Sequence, residues 1–306
     1  MKHYAVVDLG GSAIKYALMK EDGSFVEKGS VPTPREDIQA FINGVTYIVK
    51  NYERKVKIEG IALSMPGAVD VVSGIIGGGS AVPYIHGPNI KQLLFESTGY
   101  QVELENDANC AGLAEAWIGS ARDVNDFICI VIGSGIGGVV VLDKKVRRGK
   151  NLHAGEFGCM LMKDYLNETV GKTWSDVAST SSLVQAVAKR KGLDWRTMNG
   201  KKVFELLDNG DIEVKEEVEK FIKYLAVGIF NVAYVIDPEK ILIGGAISQR
   251  QELIRQINTV LATMRGEHAT LDLSVERCAF ENDSNLIGAL FHYMQQTGVK
   301  IVSEQI

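Results

Sequence analysis

Cysteine is scarce in this sequence. The four present, Cys110, Cys129, Cys159 and Cys278, form no Cys-x-x-Cys pair and no metal-ligand spacing. A disulfide framework is thereby excluded, and each thiol is expected to be buried, reduced and inert. An excess of positive charge is also missing. Lys and Arg number 33 against 38 Asp and Glu, the net charge is −5, and the basic residues are scattered, so there is no electrostatic footprint for nucleic acid. No apolar run reaches membrane-spanning length, and Met1-Lys-His-Tyr4 passes directly into a strand, which leaves no room for a signal peptide. The expectation is a cytoplasmic protein without a membrane partner. No linker or low-complexity segment divides the chain, although 306 residues suffice for two domains of common size. The boundary is placed near Ile118.

What is present is glycine in particular places. The run from Phe127 to Asp143 sets Gly133-Ser134-Gly135-Ile136-Gly137-Gly138 between two β-branched stretches, the pattern of a hairpin. Glycines in such a turn permit positive φ and close approach to a ligand, and successive N–H groups can converge on one anion. The turn is a candidate phosphate cradle. Tyr4 to Met19 repeats the design, with Gly10, Gly11 and Ser12 at the turn. One such hairpin in each half suggests two related lobes serving one nucleotide. Lys240 to Ser248 adds a third glycine turn, Gly244-Gly245, leading into a helix over 251–264, where unpaired N–H groups could receive an anion.

Apolar spacing predicts helices over 37–52, 89–98, 108–118, 179–191, 201–208, 213–236 and 285–295, and strands over 57–64, 101–104 and 271–275. Glu105-Asn106-Asp107 stands where a strand meets a helix. Asp107 there reads equally as an N-cap and as a catalytic carboxylate at the ligand-binding end of an open sheet. Met65-Pro66-Gly67 ends a strand and is either a site-lining turn or a connector. Asn151 to Cys159, with two glycines around Glu156, suits a ligand loop better than core.

Six motifs, Asp8-Leu-Gly-Gly-Ser-Ala-Ile-Lys15, Ser64-Met-Pro-Gly-Ala-Val-Asp70, Glu105-Asn-Asp-Ala-Asn-Cys-Ala111, Gly133-Ser-Gly-Ile-Gly137, Ala154-Gly-Glu-Phe-Gly158 and Asp237-Pro-Glu-Lys-Ile-Leu-Ile-Gly-Gly245, together resemble the ROK family of sugar kinases. The resemblance implies an α/β, two-domain actin-like and hexokinase-like (ribonuclease H-like) ATPase fold with a central cleft. It implies a small domain over 1–118, a large one over 119–284, and a helix of about 285–306 packing back on the small domain. It further implies ATP, magnesium, a homodimer, and phosphate placed on a sugar hydroxyl. Some members are repressors with a DNA-reading domain ahead of the kinase-like part, which this chain, opening on the first strand, is expected to lack.

By the same resemblance Asp107 is the base and Asn106 holds the sugar, with Gly67, Glu156, Cys159 and Ser175 also on the sugar. Asp8, exposed at the first turn, would orient magnesium through water. Gly10, Gly11, Ser12, Lys15, Gly133, Ser134, Gly135 and Gly137 would surround the phosphates, and Gly244 and Gly245 the adenosine. Three departures from the family matter. The cysteine cluster of zinc-containing members is missing after Glu156-Phe-Gly-Cys159, so no zinc is expected. Cys159 replaces the family histidine that touches the sugar, and Ser175 aligns with a glutamate on the sugar's anomeric side. Both replacements are short, which favours a β-glucoside kinase acting on O6 of cellobiose or an aryl β-glucoside. A glucokinase or N-acetylmannosamine kinase is the alternative, and a non-catalytic sugar sensor the reading from another class. Trp174, beside Ser175, is either a stacking surface for a second ring or a core residue.

Overall fold

The computed structural model describes residues 1–163, 172–264, 270–280 and 283–299. They divide into two compact units, the first containing Met1–Arg122, Arg148–His153 and the last helix, the second Asp123–Arg147 and the described residues of 154–281.

In the first unit β1 (His3–Leu9) is buried along nearly its whole length and accordingly lies in the middle of a sheet. It pairs antiparallel with β2 (Ala13–Lys20), which carries β3 (Phe25–Pro32), and parallel with β4 (Ile58–Met65). After the small hairpin β5 (Ala68–Asp70) and β6 (Ile75–Gly77), β7 (Val102–Asn106) completes the order β3-β2-β1-β4-β7. Side chains alternate across the sheet. Ala5, Val7 and Leu9 face α1 (Ile38–Glu53) and α2 (Ile90–Thr98), whose apolar stripes form one core with them. The opposite face is covered by α3 (Asp107–Ile118) and by the helix Ser284–Thr297. These two helices touch backbone to backbone, since a Cβ on Gly288 would lie 1.7 Å from the Cys110 carbonyl oxygen. Trp117 stacks on Phe291 at 5.2 Å, and Tyr4 packs on Tyr293 at 5.4 Å.

The second unit repeats the plan. β8 (Phe127–Ile132) and β9 (Ile136–Leu142) form the hairpin predicted around Gly133, and β10 (Lys145–Val146) extends it. Beyond the two-stranded β11 (Leu161–Lys163) and β12 (Lys172–Thr173), β13 (Lys240–Gly244) and β14 (Glu276–Arg277) join parallel to β8 in the order β10-β9-β8-β13-β14. Helices α4 (Trp174–Ala178), α5 (Thr180–Lys191), α6 (Gly200–Asp208), α7 (Ile212–Ile236) and α8 (Gln251–Thr263) supply the rest. Ile128, Ile130 and Ile132 pack with Phe221, Leu225 and Ile229 of α7 and with Trp174. Trp174 is 0% exposed and donates its indole N–H to the Tyr224 carbonyl at 3.0 Å, so it is core and offers no stacking surface.

The predicted strand over 271–275 is irregular chain. Asn258 of α8 accepts the Val275 N–H at 2.8 Å and donates to the Val275 carbonyl at 3.0 Å, so these backbone groups are spent on a side chain and the ladder begins at Glu276. The described part of the last helix ends at Thr297, and the predicted extension to 306 passes outside the described residues.

Candidate functional site

In the first unit, sheet register assembles a polar row. Asp8 lies opposite Lys15 on one side and Ser64 on the other, and Ser64 lies opposite Glu105. Asp8 is only 6% exposed, not exposed at its turn as the sequence suggested, because Ser64 and Asn285 close over it. Ser64 Oγ donates to Asp8 Oδ1 at 2.7 Å, and Asn285 Nδ2, from the last helix, donates to the same oxygen at 3.1 Å. Both donors are neutral and both use Oδ1.

Asn106 and Asp107 stand at the start of α3. The N-cap is Asn106, whose Oδ1 accepts the Asn109 N–H at 3.1 Å, so Asp107 is not the cap. Asp107 Oδ1 accepts the Ala108 N–H at 2.8 Å and an Asn106 Nδ2 proton at 3.0 Å. The amide's other proton is placed on the Gly67 carbonyl, also at 3.0 Å. Asn106 therefore orients its neighbour, and its Oδ1 keeps one lone pair beyond the cap. Gly67 has φ +100°, and an added Cβ would crowd Ile76 and the His86 ring at 3.0 and 3.2 Å. The Met65-Pro66-Gly67 turn thus lies against the Asn106–Asp107 pair. Below them Cys110 is fully buried, and desolvation, reinforced by Glu105, Asp8 and Asp107, pushes its thiol well above the ordinary range, as expected of an inert thiol.

Gly10 closes its turn by donating to the Ala13 carbonyl at 3.0 Å, and a Cβ there would meet that oxygen at 2.9 Å. Gly11 has Ala81 within 2.8 Å of its missing Cβ, while Ser12 is exposed and Lys15 half-buried. Thr33, which sequence reading missed, braces the turn by donating its hydroxyl to the Gly10 carbonyl at 2.6 Å.

In the second unit the Gly133–Gly137 turn does not rely on left-handed backbone. None of Gly10, Gly11, Gly133, Gly135 and Gly137 has positive φ, contrary to the expectation from sequence. A Cβ on Gly137 would meet nothing within 4 Å, and one on Gly133 only the Gly135 carbonyl at 4.0 Å. The protein's own packing does not require glycine at those two positions, whereas a closely approaching ligand would. Ser175 Oγ accepts the Ile136 N–H at 2.9 Å and therefore braces the turn. Gly155, with φ +93°, packs on the Gly138 carbonyl, and the loop leaves Glu156 and Cys159 exposed. Cys159 thus departs from the burial expected of all four cysteines.

A pocket of about 880 Å³ opens beside this turn. Gly133, Ser134, Thr180 and Gly245 line one part, and Trp195, Phe204 and Arg250 another. Thr180 and Ser181 bring the N-terminus of α5 to it, and Thr180 N–H donates to the Gly133 carbonyl at 2.9 Å. Arg250 lies 4.6 Å over the Phe204 ring and bonds Asp208 at 3.0 and 2.6 Å, which holds the Asp208 carboxyl below its ordinary range. Gly245, with φ +89°, leads into a short 3₁₀ turn (Ala246–Gln249), and the N-cap of α8 is Arg250, so the third glycine turn does not itself open α8. Gly244 is turned elsewhere. It packs against Cys278 and Cys129, whose sulfurs lie 3.3 Å apart. Sequence reading missed Trp195, Phe204 and Arg250 because only the fold gathers them. Among the described residues no group of three or more His, Cys, Asp or Glu is arranged to hold a metal, and no helix is long and apolar enough to cross a membrane. The run after Cys159 continues past residue 163 outside the described residues.

An apolar pocket beside a small-residue turn and a helix N-terminus suits a nucleotide, and a buried row of carboxylates suits phosphoryl transfer. The architecture is the actin-like, hexokinase-like fold of ROK sugar kinases. The chain belongs to the ROK family, whose model matches residues 4–296. It is 31% identical over 294 residues to the beta-glucoside kinase of Listeria innocua serovar 6a, covering 95% of this chain and 97% of that one. It is 30% identical over 267 residues to the glucokinase of Halalkalibacterium halodurans, covering 80% and 81%. A ROK family protein from Streptococcus pneumoniae TIGR4, solved in complex with sucrose, superposes with a TM-score of 0.88 at 33% identity, covering 97% of this chain and 99% of that one.

Proposed function

We propose that this chain transfers the γ-phosphoryl group of ATP to the 6-hydroxyl of the non-reducing glucose of a β-glucoside. The observation that carries the substrate class is the likeness, over 95% of the chain, to the Listeria protein named beta-glucoside kinase. The Streptococcus relative bound to sucrose, a disaccharide, supports a sugar site that tolerates a substituent beyond the first ring. The short side chains of Cys159 and Ser175 fit that reading, Ser175 being drawn to the Ile136 N–H.

Asp107 removes the proton from the 6-hydroxyl as that oxygen attacks the γ-phosphorus and the bond to the ADP oxygen breaks. Asn106 keeps the Asp107 carboxylate oriented through its 3.0 Å bond and leaves one lone pair for the sugar. The Ser134 and Ser181 N–H groups, at the turn and at the start of α5, receive phosphate oxygens, and the wall of Trp195, Phe204 and Arg250 receives the nucleoside. Asp8 fits magnesium held through water, since its carboxylate is buried, bonded at Oδ1 and offered only neutral donors there. When bound, that ion supplies neutralisation of the phosphate charge. Zinc has no part in this reading, and metal analysis finding about one tightly held zinc per chain would contradict that.

A coupled ADP-release assay over cellobiose, an aryl β-glucoside, glucose and N-acetylmannosamine tests the reading. Higher kcat/KM for the β-glucosides is expected. A clear preference for free glucose or N-acetylmannosamine would sink the substrate assignment, and no turnover with any sugar would favour a sensor.

A further inference from the structure

Next to the candidate base lies a set of charges that the proposed chemistry does not use. Glu105 has no exposed surface. Its Oε1 accepts the Asn106 N–H at 2.8 Å and an Asn109 Nδ2 proton at 2.9 Å, so one oxygen grips the N-cap residue and the first turn of α3. Its Oε2 accepts from Arg148 twice, through Nε at 2.9 Å and through Nη2. His292 of the last helix places Nδ1 at 3.8 Å from the same oxygen, and both of its ring nitrogens are buried without a hydrogen-bond partner among the described residues. Around His292 the other charges are Glu103 and Lys91, which pair with each other at 2.5 Å. Asp8 stands in the same row, beyond Ser64.

An ionised carboxylate without solvent is costly unless it is paired and fully bonded. A glutamine would serve the two bonds at Oε1 without that cost. What the carboxylate adds is charge-assisted strength at the Asn106 N–H and a docking point for one particular arginine. Arg148 belongs to the basic run 144–150. It sits on the segment Arg148–His153, which belongs to the first unit although its flanks belong to the second.

We propose that Glu105 and Arg148 are positioning residues for the transfer reaction. The Glu105 carboxylate, locked by the Arg148 fork, fixes the backbone of Asn106 and the first turn of α3, and so fixes the direction in which the Asp107 side chain leaves that turn. The inference rests on Asp107 being the base, and the experiment separates the two ideas.

The variants are Arg148→Met, Arg148→Lys, Glu105→Gln and Asp107→Asn, each followed by melting temperature and by kcat and KM across pH. Arg148→Met is expected to lower kcat by about tenfold or more with both KM values within about threefold, the pattern of lost orientation in the transition state. It should also move the acid limb of kcat/KM to higher pH, because a cation near Asp107 has gone. Glu105→Gln should move that limb to lower pH, because an anion has gone. Arg148→Lys should return the limb to its native place while restoring only part of kcat, since an ammonium cannot make the two-pronged contact. A merely structural brace would lower the melting temperature and leave the limb where it was. If Arg148→Met keeps the native limb and kcat within about twofold while Asp107→Asn is inactive, the positioning role is overturned and the base stands. If Asp107→Asn turns over normally, both ideas fail. Should Glu105→Gln not fold, the two Arg148 variants decide alone.

Discussion

The row Lys15–Asp8–Ser64–Glu105 runs across the sheet of the first unit, and the matching row of the second unit, one residue before the end of its hairpin strand, is Gly137–Val131–Gly244. Strand order and direction are the same around both rows, an antiparallel hairpin followed by two parallel strands. One row is built of ionisable and hydroxyl groups held by named hydrogen bonds. The other carries no ionisable or hydroxyl side chain. The same topology thus serves two chemistries. In the first unit side chains fill the strand ends; in the second, glycine stands on both sides of Val131.

The contrast can be broken most sharply just beyond the charged row, at the start of α3. Asp107→Asn keeps size and hydrogen bonding but cannot take the hydroxyl proton, and kcat is expected to fall roughly a hundredfold to ten-thousandfold while sugar binding by calorimetry largely survives. Near-normal turnover would remove the base from the first unit altogether.

Two neighbouring glycines sharpen the second unit. A Cβ on Gly138 would lie 2.4 Å from the Cys129 carbonyl, whereas one on Gly137 meets nothing. Gly138→Ala should therefore cost about 1–3 kcal/mol of stability in denaturant unfolding. Gly137→Ala should leave the melting temperature near native and raise the KM for ATP by about tenfold, because the methyl group occupies space kept for phosphate. Equal effects of the two substitutions on stability would end the argument from space.

The smallest expected effect is on pH. Burial is the main cause that holds the His292 ring below its ordinary histidine value, with the Glu105 charge opposing. The folded protein then binds a proton less readily than the unfolded chain, so the contribution is complete above about pH 6.5 and is lost as pH falls from there toward the folded value. A His292→Gln variant should show a flatter decline of melting temperature below about pH 6.5 than the native protein. An unchanged slope would show that the ring is not desolvated.

Legibility followed sequence distance. Strands and helices whose apolar period is local, such as β1, α1 and α7, were readable within a residue or two. So was the short-range constellation Glu105-Asn106-Asp107, although not which residue caps. What could not be read were groups joined only by the fold. Arg148 reaches Glu105 from 43 positions away, and Asn258 takes the backbone of Val275 out of the sheet. Glycine itself was a sound signal of tight places, but sequence does not say whether the need is for φ or for volume. Gly155 and Gly245 need both, Gly10 and Gly11 need only the second, and Gly133 and Gly137 need neither for the protein's own packing.

Asn285 meets Asp8 across 277 positions of chain, and it travels on the helix whose Gly288 is pressed against Cys110. A ribosome makes the first sheet early and that helix late, and at about 5–20 residues per second the wait between Ile118 and Ser284 is roughly ten to thirty seconds. Nearly the whole second unit is synthesised in that interval. Its chain is complete while the first unit still presents Tyr4, Trp117 and the uncovered side of α3 to solvent or to a chaperone. The unit begun first is thus the one whose chain is finished last.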